Sequence, residues 1–149
     1  MKIYLALAAL SLCCFLIGCN KTGTPTEYTN ACSEANDKKY IEVAGFLDDK
    51  GGIFCSNTGG GPVRCGFKLL QNSGDPKGFS ADIEIGTGAN SVEKITGSYK
   101  REDIKIHDNS GNVINLADKY RVTGKLNFAK DPTAKTGDVC YLTVTKIEK

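Results

Sequence analysis

Apolar residues return at every second position over five stretches of the chain. In 41–47 (IEVAGFL) the odd positions are apolar or small, and in 63–69 (VRCGFKL) the odd positions are apolar while Arg64 and Lys68 hold even ones. Residues 79–85 (FSADIEI) repeat the rule, 120–128 (YRVTGKLNF) keep it over nine residues, and 140–145 (CYLTVT) close the set. Successive side chains of a strand point to opposite faces. The pattern therefore predicts five strands of a mostly antiparallel sheet with one packed face, an all-β domain.

Two segments follow other rules. Residues 27–38 (EYTNACSEANDK) place Tyr28, Ala31, Cys32 and Ala35 at helical spacing, which predicts a short N-terminal helix capped by Thr26. Between the third and fourth strands, 91–95 (SVEKI) reads as a helical turn, and Asp108-Asn109-Ser110-Gly111 reads as the turn of a hairpin. Gly45 and Gly124 each interrupt a strand, as expected where a sheet bulges or bends into a barrel.

The chain opens differently. Lys2 is followed by apolar and small residues up to Ile17, the pattern of a secretory signal peptide and shorter than a membrane-spanning helix requires. Leu16-Ile17-Gly18-Cys19 resembles the lipobox of bacterial lipoproteins. The resemblance implies that residues 1–18 are removed and that Cys19 becomes the acylated first residue, with diacylglyceryl and N-linked (palmitate-type) chains. Asn20 is not the aspartate associated with inner-membrane retention, which points to the outer membrane. Residues 19–26 then form the lipidated cysteine and a polar tether, and 27–149 the domain.

Export changes how the cysteines are read. Cys13 and Cys14 leave with the leader and Cys19 carries lipid, so Cys32, Cys55, Cys65 and Cys140 remain for an oxidising compartment such as the periplasm. Of the three pairings, Cys55 with Cys65 across Gly59-Gly60-Gly61-Pro62, and Cys32 with Cys140, is favoured. Their spacing contains no CxxC pair, so no metal site is expected. Without Lys2 there are 18 basic side chains against 17 acidic, which argues against a nucleic-acid binder.

The order strand–strand–strand–insert–strand–strand, with V-x-G in 43–45 and V-x-G-x-L in 122–126, resembles the OB-fold. It implies a five-stranded barrel over residues 40–149, although no long helix is evident between strands three and four. A different small barrel or a sandwich fits the same alternation. In the OB-fold the outer face of strands two and three grips ligands, which here selects Arg64, Lys68, Asp82 and Glu84. Their signs are mixed, no aromatic stands between them, and a solvated sheet face explains them better than any specific ligand. Tyr40, Phe46 and Tyr141 also fall at outward parity. They form a binding patch if they cluster, or lie covered by the front helix or the glycine loop.

Catalytic signals are thin. His107 beside Asp108 reads as a polar turn residue, and there is no Gly-x-Ser-x-Gly elbow. Arg64, Arg101 and Arg121 are scattered. A calcium loop starting at Asp108 would need glutamate where Lys119 stands. The expectation is a lipid-anchored, non-enzymatic, cofactor-free module that binds an envelope protein, glycan or small ligand. The second reading is an inhibitor of an envelope hydrolase such as a lysozyme or protease, acting through loop 56–64 (SNTGGGPVR); the third is a cryptic hydrolase.

Overall fold

The computed structural model describes residues 21–57, 60–130, 133 and 138–149. Cys19, the leader, Asn20, and Thr58 and Gly59 of the glycine loop lie outside the described residues.

The strands are β1 (Thr24–Pro25), β2 (Tyr40–Asp48), β3 (Phe54–Ser56), β4 (Arg64–Leu70), β5 (Phe79–Glu84), β6 (Tyr120–Ala129) and β7 (Val139–Glu148). Five of them match the five alternating stretches. Their inward side chains, among them Ile41, Val43, Phe67, Ile83, Val122 and Leu142, make one buried core. β2 pairs with β6 through residues 40–45 and with β4 through residues 46–48. That double pairing closes the ring β2–β4–β5–β7–β6 into a five-stranded, OB-fold-like barrel. All its pairs are antiparallel except β5–β7, so the expected antiparallel barrel contains one parallel pair.

Closure depends on the two mid-strand glycines. β2 changes partner at Gly45, where a Cβ would sit 2.7 Å from the Leu70 carbonyl oxygen. At Gly124 a Cβ would sit 2.4 Å from the Thr143 carbonyl oxygen, and the β6–β7 register shifts between Thr123 and Gly124. The shift leaves Thr145 unpaired on β7 and brings Ile147 inward, so the strand runs past the point where strict alternation stops.

The front segment departs from the expected helix over 27–38. Only α1 (Tyr28–Ala31) is α-helical, followed by a 3-10 turn, Glu34–Asn36. Ser33 is extended between them, and the Asn36 amide donates to the carbonyls of Asn30 and Ala31 at 2.9 and 3.2 Å. Those bonds satisfy carbonyl groups that further helix would otherwise use. Thr26 does not cap α1; its hydroxyl donates to the Thr24 carbonyl, and the N-cap position is Glu27, without a side-chain cap. Tyr28 packs on Phe79 with ring centroids 5.3 Å apart and donates to the Leu69 carbonyl at 2.8 Å. Upstream, Thr24 and Pro25 pair in parallel with Ile41 and Glu42. The polar stretch expected to hang free is thus docked from buried Gly23 onward.

The insert between β5 and β6 has no long helix; its one described helical turn is the 3-10 turn Arg101–Asp103. Instead it feeds Val92, Ile104, Ile106 and Ile114 into the core. Residues 91–95 are not the helical turn expected: Val92 bridges Ile85 in parallel and Ile106 antiparallel, because extended backbone delivers its side chain to the core. The turn after Asp108 forms as expected, with Asp108 accepting the backbone N–H groups of Ser110 and Asn112. These bonds hold its carboxyl below the usual range.

Candidate functional site

Outward residues of β3, β4, β5 and β7 fall into three cross-strand rows. Phe54, Gly66, Asp82 and Thr143 are successive partners in the central row. Ser56, Arg64 and Glu84 form the row on one side, and Lys68, Ser80 and Tyr141 the row on the other. Gly66 on β4 and Ser80 on β5 are small and stand between Phe54 on β3 and Tyr141 on β7, and the face is hollowed there. The resulting open groove has a volume of about 610 Å³, and the β2–β3 loop at Lys50–Gly52 joins its rim.

Two braces hold the groove in shape. β3 has three residues, too few to stand alone, and Cys55 is joined to its cross-strand partner Cys65 by a disulfide. Outward Phe54 is thereby held as one wall, 78% exposed; Tyr141 on β7 stands on the opposite side, 37% exposed. The loop before β3 is tied to the insert. Arg101 pairs with Asp48 at 3.2 Å and with Asp49, and the Tyr99 hydroxyl accepts the Ile53 N–H at 3.1 Å.

The floor carries polar side chains without hydrogen-bond partners among the described residues. Asp82 accepts no hydrogen bond from the described residues; its Oδ1 lies 3.3 Å from where a Cβ on Gly66 would stand. Burial pushes its carboxyl above the usual range, outweighing the opposite pull of Arg64 and Lys68. Among the described residues the Lys68 ammonium and the Ser80 and Tyr141 hydroxyls also have no hydrogen-bond partner. Arg64 reaches Glu84 at 3.4 Å, while its Nε is buried with no hydrogen-bond partner among the described residues.

The groove thus gathers four of the seven sequence candidates, Arg64, Lys68, Asp82 and Tyr141. Glu84 lies beside them, paired to Arg64. Tyr40 and Phe46 do not join: the Tyr40 ring lies under Lys21 Nζ at 4.7 Å and the Phe46 ring under Lys119 Nζ at 6.0 Å. The outward aromatics are therefore not one patch. Phe54 was missed because β3 is too short to show alternation, although its position beside Cys55 in a stapled hairpin points to it. With Phe54 and Tyr141 at its margins, the face is not the aromatic-free surface that strands two and three suggested.

His107 is buried, with Nε2 3.1 Å from Glu93 Oε1 and Nδ1 3.1 Å from the Gly111 carbonyl oxygen. It braces the hairpin inside the insert rather than decorating its surface. The second predicted disulfide, Cys32–Cys140, is present and ties the front segment to the start of β7. Among the described residues no group of three or more His, Cys, Asp or Glu side chains is arranged to hold a metal ion.

Fold and groove together define a small disulfide-braced barrel with a ligand-sized trough on its outer face. Comparison with protein-family models, with curated proteins and with solved structures finds no match for this chain.

Proposed function

We propose that this chain is a lipoprotein of the bacterial cell envelope, anchored through Cys19 on the outer membrane, whose barrel is a non-catalytic binding module. The β3–β4–β5–β7 groove is its ligand site. The lipobox-like 16–19 supports the anchor, and two disulfides suit an oxidising compartment.

One observation carries the binding reading. Asp82, Lys68, Ser80 and Tyr141 line a trough, and none has a hydrogen-bond partner among the described residues. Polar groups drawn together on a half-buried floor normally pair with one another. A partly desolvated carboxylate left unpaired in a groove marks a functional site rather than a structural brace. A concave face also suits accepting a ligand, whereas an inhibitor of the kind considered for 56–64 inserts a convex loop.

The test is in-cell photo-crosslinking with a photoreactive phenylalanine analogue at Phe54, and at Phe46 as the control. One dominant adduct from position 54, absent from position 46, is expected. No adduct from 54, or the same adducts from both positions, would overturn the assignment of the groove.

A further inference from the structure

We propose that the barrel end where β2 and β7 begin and β6 ends lies against anionic headgroups of the bilayer that holds Cys19, with Lys21, Lys38, Lys39, Lys125 and Lys130 turned to the lipid. This inference rests on the lipid anchor proposed above and adds to it an electrostatic contact made by the folded domain.

The path of the chain sets the distance. β1 runs parallel to β2, with Thr24 beside Ile41 and Pro25 beside Glu42. Traced back from β1 towards Cys19, the chain therefore heads for the start of β2. Buried Gly23 is wedged there: a Cβ on it would stand 2.7 Å from the Ile41 carbonyl oxygen and 2.7 Å from Thr123 Cγ2. Lys21 is fixed on Tyr40, the first residue of β2; its Nζ donates to the Tyr40 hydroxyl at 2.9 Å and lies 4.7 Å from the ring centroid. Two residues of chain span at most about 7 Å, which bounds the distance from the Lys21 Cα to that of the acylated cysteine. The field of a charged surface reaches about 8–10 Å at ordinary salt. Lys21, and the start of β2 with it, is thus held within reach of the headgroups.

The charge at that end has the sign to meet them. Lys38 and Lys39 immediately precede Tyr40, Lys125 is its cross-strand partner on β6, and Lys130 follows the last residue of β6. Three acids accompany these lysines. Asp37 lies 3.5 Å from Lys38, Glu34 lies 2.5 Å from Lys130, and Asp138 also acts on Lys130. Among the described residues, five lysines against three acids leave two positive charges in excess, in a chain with 18 basic and 17 acidic side chains after the leader. Farther along β2, Glu42, Arg121, Lys146 and Glu148 pair among themselves and add no net charge. Lys39 and Lys125 have no hydrogen-bond or ion-pair partner among the described residues. Beside the lysines, Val139 is 47% exposed opposite Ala129, which offers apolar surface to the membrane interface.

An acidic protein would suit the same charges. It would have to compete with a bilayer that the anchor keeps permanently beside them, at a high effective concentration. None of the five lysines lines the groove, so docking and ligand binding use separate residues.

The experiment places the mature lipidated protein in vesicles of phosphatidylcholine, alone or mixed with phosphatidylglycerol, and measures the acetylation rate of each lysine by mass spectrometry. Lys39 and Lys125 are the reporters. Lys94 and Lys100, in the insert that joins the end of β5 to the start of β6, are the controls. On the anionic vesicles the reporters should react about threefold or more slowly than on neutral ones, the controls should be unchanged, and high salt should abolish the difference. Equal reporter rates on the two membranes, for a chain whose acyl groups are confirmed by intact mass, overturn the docking face and leave the anchor standing. Equal slowing of reporters and controls overturns it too, because the domain then has no preferred face. Protection that is the same on neutral vesicles and grows with protein density assigns this end to a second copy of the chain instead. A chain without acyl groups takes down the anchor and the docking face together.

Discussion

Asp82 is a carboxylate that folding disfavours. Its pKa is raised chiefly by burial, so the folded chain binds its proton more tightly than the unfolded chain does. Stability from this residue is therefore fully present below the ordinary carboxylate value of about 4 and is lost as pH rises through the folded value. Asp82→Asn removes that penalty. The variant should melt roughly 1–3 °C higher than the parent at pH 7 and show no gain at pH 3. A lower melting temperature at pH 7 would mean that attraction to Arg64 and Lys68 outweighs the burial cost. Parity in 79–85 was enough to place Asp82 outward. It was not enough to place Gly66 opposite it, which is a matter of register between two strands.

At the scale of elements, the disulfides do different work. Cys55–Cys65 closes a short loop and holds three-residue β3 against β4, whereas Cys32–Cys140 spans a sequence separation of 108. On loop entropy the first contributes about 3 kcal/mol and the second about 5 kcal/mol. The double variant Cys55→Ala/Cys65→Ala should lose about that smaller amount in urea denaturation, and with it the Phe54 wall of the groove. Cys32→Ala/Cys140→Ala should lose more, in the same assay. Equal losses would show that chain entropy is not what separates the two bridges. The β6–β7 bulge makes another demand. Gly124→Ala should cost roughly 1–3 kcal/mol in the same measurement, because the added methyl group meets a backbone carbonyl that has nowhere to move. The glycines were visible in the sequence as interruptions, and Gly124 is indeed at a bulge. The front helix was over-read because helical spacing alone does not show that Asn36 turns back on the carbonyls of Asn30 and Ala31.

For the whole molecule, the docked start of the chain matters most. The chain is held against β2 from Gly23, four residues after Cys19. Fully extended, four residues reach about 14 Å. On the proposed anchor, the barrel is therefore held close to the lipid surface on a short leash instead of swinging on a long tether. Cys19→Ser should move the protein from the membrane pellet to the soluble fraction after ultracentrifugation, with the parent retained in the pellet. A parent chain whose intact mass shows no acyl groups would remove the anchor from the account.

The five barrel strands and their inward faces are properties of neighbouring residues, because side chains two apart share a strand face. Those were legible in the amino-acid order alone, as were the two disulfides favoured among three pairings. Which strand lies beside which was decided by tertiary structure, since ladder partners come from distant parts of the chain. Only that pairing brought Phe54, Gly66, Asp82 and Thr143 into one row, made β3 a strand and hollowed the face into a groove. Alternation states which way a residue points; closure of the barrel states what it points beside.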